Sequence, residues 1–198
     1  MLRETVIRIE RLSRKYKGYI STEELLREGI TNRQIGVFVD IEMLERVCHG
    51  YYWFHCSAFS KPWDYKAVEV SYSDPESVIC ADSACFYLGL IDKEPDRLSV
   101  ATRRSDRRRL HMNFPVLRHY YSERMFPEYQ KVMETEFGKY QVYDIERSVC
   151  DCIRFRDDLE EDIFAYVLEC YKKRNQKGDK LLEYAKKLRL LNLVKQYM

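Results

Sequence analysis

Between residues 21 and 34 the sequence twice sets a hydroxyl residue three positions ahead of a Glu or Gln, Ser21 before Glu24 and Thr31 before Gln34. In each pair the hydroxyl accepts from the amide three residues on while the longer side chain reaches back, so two orphan donors at a helix start are satisfied. Two such starts lie close together and leave room only for a short helix, expected over Ser21–Glu28, and a tight turn. Gly29 stops that helix and Ile30 packs beneath it. The second helix is expected over Thr31–Met43, with Ile35, Phe38 and Val39 on one face. Leu44–Val47 then alternates as a strand, His49-Gly50 supplies a turn, and Tyr51–Phe54 forms an aromatic strand.

This ordered series over Tyr19–Phe54 reads as a winged helix-turn-helix; the alternative is a helical hairpin beside a strand pair, built only for packing. In the functional reading Thr31–Met43 is a recognition helix whose first turn enters the major groove of double-stranded DNA. With positions 35, 38 and 39 turned inward, Asn32, Arg33, Gly36, Val37 and Asp40 face outward. Asn32 suits adenine and Arg33 suits guanine. The candidate DNA-binding residues are Ser21, Thr31, Asn32, Arg33, Val37, His49 and Tyr51. Ahead of them, Leu2, Val6, Ile9, Leu12 and Tyr16 define an amphipathic helix ended by Gly18. Its other face carries Arg8, Arg11, Arg14, Lys15 and Lys17, either phosphate contacts or a plain solvated face.

A chain of 198 residues with 45% hydrophobic content has room for one full domain and a small one. The formal net charge is only +2, and residues 1–58 hold nine Lys/Arg against eight Asp/Glu. Any basic DNA face must therefore come from arrangement, not excess. Seven cysteines, an odd count, with no leader-like start and no membrane-length apolar run, point to a reducing cytoplasm. Cys48, His49, His55 and Cys56 lack the paired spacing of zinc ligands, so neither metal nor cofactor is expected. Cys80, Cys85, Cys150 and Cys152 read as small apolar core residues.

Composition changes at Ser57–Pro62, which separates a winged domain, residues 1–58, from a second domain, residues 63–198. The second reads as α+β. A helix over Trp63–Tyr72 precedes a strand at Ser77–Cys80 and a helix capped by Asp82 and ending at Gly89. Strands follow at Leu98–Ala101 and Val116–Tyr120, then a hairpin over Lys131–Tyr143 turning at Gly138. Three helices close the chain, over Asp144–Phe155, Leu159–Lys173 and Lys180 to about Tyr197. Asp144, Glu146 and Asp151 cluster as carboxylates of a metal nuclease would, but acidic groups in a first turn also complement the helix dipole, and Arg147 is spaced to pair with Asp151. With no phosphate-cradling glycine loop and no nucleophile elbow, no enzyme is expected and no catalytic residue is assigned. The sharpest charge feature is Arg103, Arg104, Arg107, Arg108 and Arg109 around Asp106, with Arg118 beyond. It reads as phosphate contacts, as a solvated loop, or as a contact for an acidic protein partner.

The order of segments resembles the AbiEi-type antitoxin family of bacterial abortive-infection, type IV toxin–antitoxin systems. The resemblance spans most of the chain. It is carried by Gly18-Tyr-Ile-Ser-Thr-Glu-Glu-Leu, Ile30-Thr-Asn-Arg, Leu44-Glu-Arg-Val-Cys-His-Gly-Tyr-Tyr, Cys80-Ala-Asp-Ser-Ala-Cys-Phe-Tyr-Leu-Gly-Leu with Pro95, and Tyr143-Asp-Ile-Glu-Arg-Ser-Val-Cys-Asp. The resemblance implies a transcriptional autorepressor that binds operator repeats, with a C-terminal domain that counters a nucleotidyltransferase-like toxin without requiring a stable complex. Relatives carry several basic residues along the recognition helix, whereas here Gly36, Val37 and Asp40 accompany Arg33 alone. The alternative is a winged-helix regulator whose second domain is a protein-binding module or an unrecognised enzyme.

Overall fold

The computed structural model describes residues 2–174 and 179–198, the side chain of Leu2 excepted, so that this first member of the apolar stripe lies outside the described side chains. The chain divides into two compact units. The first runs to Asp74 and takes in His111–Asn113 and Thr135–Gly138; the second comprises Pro75–Leu110, Phe114–Glu134 and Lys139–Met198. The architecture is α+β with two sheets among the described residues.

The first unit contains α1 (Leu2–Lys15), β1 (Tyr19–Ser21), α2 (Thr22–Arg27), α3 (Asn32–Asp40), β2 (Leu44–Cys48), β3 (Tyr51–Phe54) and α4 (Tyr65–Ser73). Its strands pair antiparallel in the order β1-β3-β2. Both capping boxes form, from Ser21 with Glu24 and from Thr31 with Gln34. Ile35 and Phe38 are buried, and they share a cluster with Ile9, Leu12, Ile20, Leu25 and Ile30. That burial fixes how α3 is rotated. The helix stops at Asp40 and does not reach Met43, because Glu42 adopts a left-handed backbone (φ 57). The Met43 amide then reaches back to the Phe38 carbonyl at 3.0 Å, and the Glu42 amide to Val39 at 3.0 Å. Glycine usually occupies such a stop.

The boundary falls later than the composition change at Ser57–Pro62, since α4 belongs to the first unit. Glu69 of α4 is fully buried and accepts from the Tyr19 hydroxyl at 2.9 Å, while Lys61 pairs with Glu69 at 2.7 Å and with Glu45 at 3.0 Å. A buried carboxylate needs such partners. Burial still raises the Glu69 pKa, against the opposing pull of Lys61.

In the second unit β4 (Val78–Ile79), β5 (Leu98–Arg103), β6 (Val116–Tyr121), β7 (Gln130–Thr135) and β8 (Gly138–Tyr143) form a mixed sheet in the order β6-β5-β4-β8-β7. β4 runs antiparallel to β5 and parallel to β8, and β5 runs parallel to β6. The helices are α5 (Ala81–Tyr87), α6 (Ile145–Arg154), α7 (Glu161–Arg174), α8 (Asp179–Lys187) and α9 (Leu191–Tyr197). Cys80, Cys85, Cys150 and Cys152 all lie in the core with no exposure. Two expectations need correction. Cys80, not Asp82, stands at the N-cap of α5, and Asp82 instead accepts from the Ser83 amide at 2.7 Å. The last helix is two helices, because Arg189 turns left-handed (φ 58) and the Leu190 amide bonds back to Ala185 at 2.7 Å.

Gly18 is the most tightly enclosed glycine among the described residues. Its φ is 98°, and a β-carbon there would lie 2.4 Å from Cζ3 of the buried Trp53 ring. Gly18→Ala must strain the backbone and displace the indole, an expected loss of about 2–5 kcal/mol. A urea melt followed by Trp fluorescence checks this; an unchanged midpoint would show that the Trp53 ring has room to move.

Candidate nucleic-acid interface

The outward face of α3 follows from what the first unit buries. Asn32, Arg33, Val37 and Asp40 are exposed, and a β-carbon built on Gly36 would meet nothing within 4 Å. Val37 is 39% exposed and stands one turn beyond Arg33. Asn32 and Arg33 make no side-chain hydrogen bond or ion pair among the described residues. The first turn of α3 therefore presents an amide and a guanidinium with free donors beside an open, side-chain-free position.

The remaining sequence candidates of this unit divide. Ser21 and Thr31 hold the helix starts, the Ser21 hydroxyl accepting from the Glu24 amide at 3.2 Å and the Thr31 hydroxyl from the Gln34 amide at 3.3 Å. His49 is exposed in the β2–β3 turn, just after a register shift between Arg46 and Cys48. Tyr51 is half-buried, its ring stacked on Tyr72 of α4 with centroids 4.4 Å apart and planes 5° apart. Tyr72 carried no sequence signal, because the stack exists only once α4 is folded against β3. The basic face of α1 is largely paired. Arg8 donates to the Glu28 carbonyl at 3.1 Å, Arg11 pairs with Glu28, Arg14 with Glu10 at 2.7 Å, and Lys17 with Glu136 at 2.7 Å. Cys48 is buried, which pushes its thiol up to about 11, and Cys56 is exposed; no group of three or more His, Cys, Asp or Glu among the described residues is arranged to hold a metal ion.

The arginine cluster lies in the second unit, on the connection from β5 to β6. Arg103 stands apart from the rest: it pairs with Glu123 at 2.6 Å and lies over the Phe126 ring. Arg118 takes its place, brought in by the parallel register that sets Val100 beside Arg118 and Thr102 beside Tyr120. Together Arg104, Arg107, Arg108, Arg109, Arg118 and Tyr120 line a cleft of about 520 Å³, with Asp106 the one carboxylate. Asp106 accepts from the Arg108 amide at 2.8 Å and from its guanidinium at 3.0 Å, and Arg118 lies 3.7 Å away. The Arg108 hydrogen bonds hold the Asp106 carboxyl below the usual range.

The three carboxylates of α6 and its N-cap are engaged in structure. Asp144 caps the helix at the Arg147 amide (3.0 Å) and accepts from the Tyr184 hydroxyl (2.9 Å), Glu146 pairs with Lys180 (2.7 Å), and Asp151 with Arg147 (2.9 Å).

No protein-family model matches this sequence, and neither does any curated protein. Solved structures with a similar fold exist, among them that of the Rv2827c protein from Mycobacterium tuberculosis, 12% identical, with a TM-score of 0.57 over 96% of this chain and 77% of that one. At such identity the likeness is of fold alone. No helix among the described residues is long and apolar enough to cross a membrane.

β6 is two-faced: Arg118 and Tyr120 reach the cleft, while His119 is buried on the other side, its ring 4.1 Å from Phe155. Burial lowers the His119 pKa to about 4 from 6.5. The unfolded chain then binds the proton more readily, so the second unit should lose up to about 3 kcal/mol as pH falls from 6.5 to 4. Urea midpoints across that window should slope less in His119→Gln than in the wild type; parallel slopes would mean the imidazole is not buried neutral.

Proposed function

We propose that the chain is a DNA-binding transcriptional regulator. In this reading the first unit is a winged helix-turn-helix, α2 and α3 forming the helix pair and the β2–β3 hairpin the wing. The observation that carries the proposal is the outward face of α3, where Asn32 and Arg33 keep their donors free, Gly36 offers no side chain, and Val37 is exposed. A recognition helix needs such a face: Arg pairs with guanine and Asn with adenine in the major groove, and an apolar contact suits the thymine methyl. Packing alone gives no reason for a mid-helix glycine whose β-carbon position is open, since glycine lowers helix stability by about 0.5–1 kcal/mol relative to alanine.

The sequence resemblance to AbiEi-type antitoxins extends the proposal. The chain would bind operator repeats upstream of its own gene as an autorepressor, and act as the antitoxin to a nucleotidyltransferase-like toxin in the cytoplasm. No catalytic role is proposed for Asp144, Glu146 or Asp151, each of which already holds a structural partner. Ser21 and Thr31 serve the DNA reading by fixing the two helix starts, and His49 and Tyr51 would stand at the wing.

Two variants test the DNA reading in a gel-shift titration against the chain's own upstream sequence. Arg33→Ala should lower operator affinity by about 1–3 kcal/mol and change binding to random DNA much less. Gly36→Ala has room for its methyl, so it should raise the melting temperature, yet weaken operator binding by holding the α3 backbone off the base edges. Equal losses on operator and random DNA for Arg33→Ala, or full operator affinity in a stabilised Gly36→Ala protein, would remove this face from base readout. Co-expression with a neighbouring nucleotidyltransferase gene, scored by growth, tests the antitoxin half separately.

A further inference from the structure

The arginine cleft of the second unit has the build of a ligand site. Its volume of about 520 Å³ is that of a pocket for one small molecule. Five guanidiniums face it against a single carboxylate, and that carboxylate has a job. Asp106 fixes Arg108 through its amide and guanidinium, and draws in Arg118, which also donates to Thr102 Oγ1 at 3.2 Å and to the Arg108 carbonyl. Two arginines are thus set in place before any ligand arrives. Arg104, Arg107 and Arg109 are exposed and make no side-chain hydrogen bond or ion pair among the described residues. A solvated loop has no need for one acid to orient two arginines around a hollow.

The guanidinium fork matches phosphate oxygens two at a time, so one phosphate group is satisfied by one or two arginines. Five arginines around one cleft offer enough donors for several phosphates close together. Tyr120 lines the same cleft and is 48% exposed, with the Arg118 guanidinium 5.3 Å from its ring centroid. An aromatic face beside clustered guanidiniums is the pairing that nucleic-acid-binding surfaces use for a base and its phosphate.

We infer that the cleft formed by Arg104, Arg107, Arg108, Arg109, Arg118 and Tyr120 binds a nucleoside polyphosphate, the arginines taking the phosphate chain and Tyr120 the base. Arg107 and Arg109 grip the ligand directly, and Asp106 positions Arg108 and Arg118. The site stands entirely within the second unit and is independent of whether α3 reads DNA.

The test is fluorescence anisotropy of the full chain with methylanthraniloyl-ATP, competed by ATP, by inorganic tripolyphosphate and by a short DNA duplex. Saturable binding is expected, displaced by ATP more effectively than by tripolyphosphate. The double variant Arg107→Ala/Arg109→Ala, whose side chains hold nothing in the fold, should melt as the wild type does and bind about tenfold or more weakly, the loss of at least one charge-assisted hydrogen bond. Tyr120→Ala should weaken ATP and leave tripolyphosphate unchanged. Absence of saturable binding, or undiminished binding in the double variant, overturns the site. Tripolyphosphate competing as well as ATP, with Tyr120→Ala silent, overturns the nucleoside. A duplex that displaces the probe better than ATP, and loses affinity in the double variant, would make the cleft a track for DNA backbone instead.

Discussion

A guanidinium with no access to solvent organises the second unit. Arg147 is fully buried in α6, pairs with the equally buried Asp151 one turn on, and donates to the carbonyls of Met125 and Glu128 at 3.0 and 3.2 Å. The rings of Tyr121 and Tyr143 lie 5.0 and 4.1 Å from its carbon. Burial disfavours its charge, but Asp151 and the two tyrosines outweigh that and hold it charged. One side chain therefore joins α6, β6, β8 and the connection between β6 and β7. Such pairs add little over a well-packed apolar core, but they tolerate the loss of neither member, and they admit few alternative arrangements of the groups they hold. The position of β6, and with it of Arg118 and Tyr120, depends on this knot.

The first unit follows a different rule, in which charges are paired locally and one surface is left alone. Glu28 takes Arg11 and, by its carbonyl, Arg8; Lys61 joins Glu45 and Glu69; Asn113 donates to Glu45 at 2.9 Å. Against the upward push of burial, Asn113 and Lys61 hold Glu45 below the usual carboxylate range. Many charges of this region are thus taken up in individual pairings, and the outward turn of α3 is exempt from them. A reader built this way would rest on contact geometry more than on a broad basic field.

The capping boxes and the phase of α3 were legible because they depend on residues three and four apart. The length of α3 was not, since its stop uses a left-handed glutamate where sequence rules look for glycine. Arg189 is a second case, its left-handed backbone dividing one helical-period stretch into α8 and α9. The place of α4 was hidden for another reason: Ser57–Pro62 has the composition of a linker, but the partners of Glu69 and Tyr72 lie on strands far back in the chain. The arginine cluster was plain in the sequence as charge. Its shape was not, because removing Arg103 requires Glu123, and adding Arg118 requires the parallel register of β5 with β6.

That register also bears on how the chain holds together. Parallel neighbours are usually joined by a helix laid across the sheet, whereas β5 and β6 are joined by an arginine-rich connection with no helix in it. An arginine-directed protease would find its cleavage points there, as in any exposed loop tip. A cut would not free the sheet edge, since β6 stays laddered to β5 from Leu98–Val116 to Arg103–Tyr121 and stacked through His119 on Phe155. The nicked chain would remain folded as two fragments held by hydrogen bonds and packing, with the lip of the cleft severed and its floor intact.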